Sequence, residues 1–330
     1  MVSAFGERAV EWSPAAPTHG DRSAELDWLR AVQQALTESQ GGSAPLAQRL
    51  RSCARVSASV DDFFRFRSPV GEPGERADAE PAPDTPDDVR ARLDHLAETL
   101  DDLFVSRLGP ELADAGVHLI GWYELDHEEQ THLAAWFESR ILPVLTPLAV
   151  DPGHPFPYIS DLSLNLAVVL EDAQQRRSHF ARLKVPGSLD RFVALPGGER
   201  FVPLEQVIVA HLDRLFPGMT VAERHPFRVT RAVGHADPVG QRTGSGRVVR
   251  LEVHPTMPAH VCDVLQRELG LDVDAVYRRI APLDLRWLAL IADRLDPPTP
   301  PDTPALRRWV WPVAAALVVL VVALLVTALG

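Results

Sequence analysis

Twelve histidines, four arginines in strand-like segments and one glycine-rich loop carry most of the reactive side-chain chemistry in this 330-residue sequence. His127 and His132 in HEEQTH resemble a zinc-protease helix, but they stand five residues apart, about 500° around a helix. A zinc pair of the HExxH type sits four apart on one face, so the segment reads as a solvated helix start. His154 lies among the prolines of DPGHPFPY, where a hydrogen-bonded imidazole would fix a rigid turn. GQRTGSG, residues 240–246, could turn backbone amides toward a phosphate, but it lacks the lysine and hydroxyl that close a P-loop. A loop between two strands is the simpler reading.

The arginines are Arg228 and Arg231 in FRVTRAV, and Arg247 and Arg250 in RVVRLEV. Arg228 and Arg250 alternate with Phe227, Val229, Leu251 and Val253, which predicts outward-facing guanidiniums. Outward arginines would grip phosphate oxygens in a bidentate manner, or pair with Glu252 and other carboxylates. No GxSxG, GxGxxG or HxE with PCxxC pattern occurs, and Cys53 and Cys262 have no CxxC partner, so they read as small buried hydrophobes. These residues assign no catalytic, cofactor-binding or metal position.

The elements that must position such groups follow from periodicity. Apolar residues at helical spacing predict helices over 24–37, over 45–55 with DDFFRF continuing it or packing beside it, and from Pro86 through Leu103. In the third, Thr85 caps, Pro86 opens the first turn, and the acidic run predicts a solvated outer face. Asp126 with Glu129 forms a capping box for a helix carrying Leu133, Trp136, Phe137 and Ile141. The period then changes to two: Leu162, Leu164, Leu166, Val168 and Leu170 predict a strand that buries one face harder than the other. HFARLKV, RFVAL, FRVTRAV and VVRLEV continue as strands, with helices over 204–215 and around Val261 to Leu269.

With 46% hydrophobic residues the chain can bury real cores, and a formal charge of −12 argues against a broad nucleic-acid surface, so no nucleic-acid partner is expected. The sequence ends in WVWPVAAALVVLVVALLVTALG, Trp309 to Gly330, without a charge. As a helix it reaches about 33 Å, the thickness of a bilayer core, with two tryptophans at the interfacial end. Arg307 and Arg308 precede it and predict a single-pass cell-membrane protein whose soluble domains are cytoplasmic.

A resemblance becomes specific at residues 141–170, ILPVLTPLAVDPGHPFPYISDLSLNLAVVL, which are similar to the start of the middle domain of the long, histidine-phosphorylated polyphosphate kinases. It continues through FARLKVP, RFVALPG, FVPLEQVIVAHLDRLFPG, FRVTR, VVRLEV and APLDLRWLALIADRLDPP. Upstream, ELDWL and PLAQRL resemble the family's opening helices, and SASVDDFFRFR at Ser57 to Arg67 resembles its SSNLDEFFMVR motif. Asp61, Phe63, Phe64 and Arg67 are retained, while Ser59 replaces an asparagine that the family places near the nucleotide base. A hydroxyl offers less than an amide for reading a base.

The resemblance implies a helical N-terminal domain (23–115) and a mixed α/β middle domain (116–296), and the residue patterns add a flexible lead-in (1–22), a Pro-rich linker (297–308) and a transmembrane helix (309–330), giving an α+β fold in five parts. The family's HHPYDSF-type segment does not occur in the sequence, so no catalytic histidine is transferred to His154 or elsewhere. The expectation is a truncated homologue and pseudoenzyme: a membrane-anchored, non-catalytic binding, docking or regulatory protein. Its implied partners are a lipid bilayer, further copies of itself, a separate polyphosphate kinase chain, a nucleotide or polyphosphate. The alternative is a component of polyphosphate synthesis or use that works with a separate catalytic chain, for which ATP and Mg²⁺ would be required.

Overall fold

The computed structural model describes residues 22–67, 86–150, 156–172, 177–233 and 245–297. The chain divides into two compact units, Met1–Ala292 and Asp293–Gly330, of which the second contributes residues 293–297 to the description. His154, the loop residues 240–244 and the apolar stretch 309–330 lie outside the described residues. Among the described residues no helix is long and apolar enough to cross a membrane.

The helical periodicity of the N-terminal part produces α1 (Arg22–Gln40), α2 (Leu46–Arg67) and α3 (Pro86–Leu103). DDFFRF continues α2 without a break because Phe63 and Phe64 fall on its buried face. Phe63 stacks on Trp28 of α1 with 5.6 Å between ring centroids. A wide turn, Phe104–Leu108, leads into α4 (Gly109–Asp114) and the short strand β1 (His118–Leu119). The acidic face of α3 is not wholly solvated. Asp101 is buried, accepting from Arg279 at 3.0 Å and from the Ile280 amide at 3.0 Å, partners about 180 residues onward.

The capping box opens α5 (His127–Trp136) as its spacing predicts. The Glu129 amide donates to Asp126 at 2.8 Å, and the Asp126 amide donates to Glu129 at 3.1 Å. His127 and His132 are both exposed there. Next come β2 (Leu148–Val150), β3 (Leu164–Asp172), β4 (Arg177–Lys184), β5 (Phe192–Ala194) and β6 (Arg200–Pro203). The helix predicted over 204–215 is interrupted at His211, giving α6 (Leu204–Ala210) and α7 (Leu212–Leu215). The His211 ring contacts the Val207 carbonyl at 2.8 Å and stacks on Phe137, so its side chain is committed to the core at the break.

The chain then forms β7 (Thr220–Val233), β8 (Ser245–Val253), α8 (Ala259–Leu269), β9 (Val276–Arg278) and α9 (Leu288–Leu295). Six strands pair in the order β2-β4-β3-β7-β8-β9, antiparallel except for β8 and β9, and β1-β6-β5 make a smaller sheet. β3 buries one face harder, as its alternation predicts: Leu164, Leu166, Val168 and Leu170 are all buried, while the other face is buried at Asn165 and Ala167 and opens to solvent at Glu171. Leu164, Leu166 and Val168 enter a core with α5, α6 and the small sheet, while Ala167 enters a second core with Phe227, Val229 and α8. Cys53 and Cys262 are both free and buried.

Candidate functional site

Alternation in β7 and β8 sends Phe227, Val229, Leu251 and Val253 toward α8, and Arg228, Thr230, Arg250 and Glu252 to the opposite face. That opposite face is not the protein surface. α2 covers it, and Arg228 and Arg250 are only 1% and 3% exposed. The outward placement predicted for these two arginines is therefore corrected. Strand alternation tells which residues share a face, but it cannot tell that a helix some 170 residues upstream lies across it.

Asp61 is the residue that α2 brings to this face, and it is 2% exposed. Arg228 grips it with both terminal nitrogens, Nη1 donating to Oδ1 at 2.9 Å and Nη2 donating to Oδ2. Arg250 Nη2 donates to the same Oδ1 and, at 2.9 Å, to Glu252 Oε2. Arg228 Nη1 also donates to Glu252. From the segment after β9, Arg286 binds Asp284 through Nε at 2.6 Å and Nη2 at 2.8 Å, and its Nε lies 3.4 Å from Asp61. Asp284 holds a left-handed backbone (φ 65°) where its side chain also accepts from the Arg286 amide. Three guanidiniums thus meet three carboxylates in one network spanning α2, β7, β8 and residues 284–286.

The charges are fixed by one another. Burial pushes the Asp61 carboxyl upward, but Arg228 and Arg250 outweigh it and hold the group well below the usual carboxylate range. Asp284 follows the same pattern, with burial overcome by Arg228 and Arg286. Arg228 feels the reciprocal effect: burial lowers its pKa, while Asp61, Asp284 and Glu252 raise it well above the ordinary value. Asp61 stays ionised through the neutral range and cannot serve as a general acid there. What the geometry supplies is rigid positioning of α2 against the sheet. A small cleft beside the network is lined by Ser57, Asp61, Asp101, Arg250, Glu252 and Arg279 among others.

The other residues singled out in the sequence fall around this network in different ways. Phe64 packs edge-on to Tyr277 at 5.4 Å and under the Arg250 guanidinium at 4.7 Å, while Ser59 is buried in α2. Arg67 ends α2, and its side chain lies outside the described set. Arg231 belongs to a neighbouring contact. Its amide donates to Asp161 at 2.8 Å, its guanidinium donates to the Ile159 and Gly246 carbonyls, and it lies 4.2 Å over Tyr158. Asp161 also accepts from Arg65 of α2 at 2.9 Å. Arg247 is exposed and outside both groups. Gly246, the last glycine of GQRTGSG, lets β8 approach Ala232, whose carbonyl oxygen would stand 1.5 Å from an added Cβ.

Sequence reasoning did not single out Asp284 and Arg286 as site residues, nor the pairing of Asp61 with Arg228. The signal available was the co-occurrence of SASVDDFFRFR, FRVTR, VVRLEV and APLDLRW, which are distant in the chain and meet at one place. Among the described residues no group of three or more His, Cys, Asp or Glu side chains is arranged to hold a metal ion. Asp61, Glu252 and Asp284 are engaged by arginines, so this network does not fit Mg²⁺.

Residues 128–233 match the family model of the polyphosphate kinase middle domain. The chain is similar to a polyphosphate kinase of Streptomyces coelicolor, 40% identical over 285 residues covering 80% of this chain and 38% of that enzyme. It is 36% identical over 308 residues to a polyphosphate kinase of a Synechocystis species, covering 81% of this chain and 42% of that one. The crystal structure of polyphosphate kinase from Porphyromonas gingivalis superposes with a TM-score of 0.67 at 21% identity, over 84% of this chain and 42% of that chain, a likeness of fold. The chain thus spans about two-fifths of the length of the relatives it matches.

Proposed function

We propose, from the likeness to polyphosphate kinases over the part this chain shares with those enzymes, that it is a non-catalytic binding, docking or regulatory protein of polyphosphate metabolism held at the cell membrane. The observation that carries the reading is the ion network of Asp61, Arg228, Arg250, Glu252, Asp284 and Arg286. Phosphoryl transfer needs a nucleophile and cations aimed at developing negative charge. In this network, among the described residues, each cation is already committed to a carboxylate of the same chain. Such a buried network fixes α2 against the sheet and so holds the fold in shape, which suits a docking module.

The membrane part of the proposal rests on the uncharged stretch Trp309 to Gly330 and on Arg307 and Arg308 before it. The soluble domains are proposed to face the cytoplasm, with a nucleotide, a phosphate chain, a second copy or a full-length kinase as the partner. A component acting with a separate catalytic chain is the second reading, favoured by the 40% identity to an enzyme of the family.

The full-length protein, solubilised in detergent and assayed for ATP-dependent polyphosphate formation, tests this. The expected result is no turnover by the protein alone; turnover appearing only with a co-purified chain supports the second reading. Turnover by the protein alone, abolished by substituting its own residues, overturns both. For the anchor, the protein is expected to stay with membranes after an alkaline carbonate wash, and its release would remove that part.

A further inference from the structure

Arg182, in β4, is 5% exposed, yet its guanidinium is placed unlike those of the ion network. Its Nε donates to Asn165 Oδ1 at 2.8 Å, and its buried Nη2 has no hydrogen-bond partner among the described residues. Register explains this. The side chains beside it on the same face are Leu148 of β2, Ala167 and Asn165 of β3, and Phe180 and Lys184 of β4, none of them acidic. Burial lowers the pKa of Arg182, but a guanidinium keeps its proton throughout the neutral range. A buried charge whose nearest polar neighbour is a neutral amide is strongly unfavourable unless an anion reaches it.

The surroundings suit such an anion. Lys184 follows two residues along the strand, about 7 Å away on the same face, and is exposed. Its Nζ donates to Ser160 Oγ at 3.1 Å. Asn165 is turned by its own amide, which donates to the Ser163 carbonyl at 2.8 Å and to Ser163 Oγ at 3.1 Å. One strand outward, Leu148 on edge strand β2 is 37% exposed, so the guanidinium lies close beneath the sheet edge. We infer that this face of β4 binds a phosphate-class oxyanion, with Arg182 at its floor and Lys184 at its mouth. A planar fork plus a point charge suits a group with several oxygens. The inference is independent of the docking proposal, since a catalytic or a non-catalytic chain could carry the site.

Calorimetric titration of the full-length protein in detergent with inorganic phosphate and with tripolyphosphate, at low and raised NaCl, tests it. Both anions are expected to bind and to raise the melting temperature, more weakly as salt rises. Tighter binding of tripolyphosphate identifies a phosphate chain as the ligand, and equal affinities identify free phosphate. Arg182→Met is expected to lose at least ten-fold in affinity and the whole anion-dependent rise in melting temperature. Lys184→Gln is expected to lose several-fold and to show a flatter salt dependence. Absence of binding at low salt, or wild-type affinity in Arg182→Met, overturns the inference. Should Arg182→Met fail to fold, exposed Lys184 decides: unchanged affinity in Lys184→Gln overturns the site.

Discussion

Asp61 and Arg228 lie 167 residues apart in the chain and face each other as a bidentate pair between α2 and β7. Both are almost wholly buried, so water can replace neither partner. Other contacts join helix to sheet, such as Phe64 on Tyr277. The ion pair differs from them because breaking it leaves a charge behind.

Asp61→Ala should therefore cost about 3–5 kcal/mol in folding free energy, because it removes the bidentate partner of Arg228 and leaves Glu252 as the one carboxylate that Arg228 and Arg250 still share. Arg228→Met should also destabilise, and the double variant should cost less than the sum of the two. The expected coupling is about 0.5–3 kcal/mol. Urea unfolding of the four proteins measures it, and strict additivity would show that the pair does not act as one unit.

Stability should also report Asp61 through pH. Its folded pKa is depressed, since the facing arginines outweigh burial, so its contribution is complete above the unfolded value of about 4 and is lost as pH falls from there toward the depressed value. Asp101 has the opposite sign. Burial outweighs Arg279 and raises its pKa, so its contribution grows as pH falls through that raised value. The urea midpoints of wild type and Asp61→Asn should thus be well separated at pH 7 and converge below about pH 4. An unchanging gap down to pH 3 would mean that Asp61 is not the titrating group.

Much of this architecture can be read from local pattern. Asp126 and Glu129 announce a helix start because a capping box needs residues only three apart. The alternation from Leu164 to Leu170 announces a strand because the pleat repeats every two residues. The site is legible only in part. SASVDDFFRFR marks Asp61 as unusual, and alternation puts Arg228 and Arg250 on one face, but neither pattern contains the distance between them. The same gap explains Asp101, a member of an acidic run that looks solvated until Arg279 arrives from the far end of the chain. Burial of a charge is a property of long-range packing, and periodicity carries no term for it.

Gly246 tests the joint between β7 and β8, where the register shifts near Arg231. A Cβ there would stand 1.5 Å from the Ala232 carbonyl oxygen, and backbone cannot swing aside as a side chain can. Gly246→Ala should cost at least about 1–3 kcal/mol, the range of an overpacked core. Thermal unfolding should register the loss, and amide exchange should speed up in β7 and β8 before α1. A variant as stable as wild type would show that the strands separate there at little cost.

Cys53 probes whether the helical core opens. Burial pushes its thiol up to about 11, outweighing a hydrogen bond with Ser39 and the attraction of Arg49. At pH 8 about one thiol in a thousand is then ionised, and the thiolate is the form that attacks a disulfide reagent. Cys262, on the buried face of α8, is likewise shifted upward by burial. Both thiols of native full-length protein should resist Ellman's reagent at pH 8, and two equivalents should react once urea unfolds the chain. Labelling should follow the unfolding equilibrium, so Asp61→Ala should react faster in proportion to its lost stability. Equal rates in that variant and wild type would separate opening around Cys53 from the Asp61–Arg228 pair and make the ion network local to the helix–sheet junction.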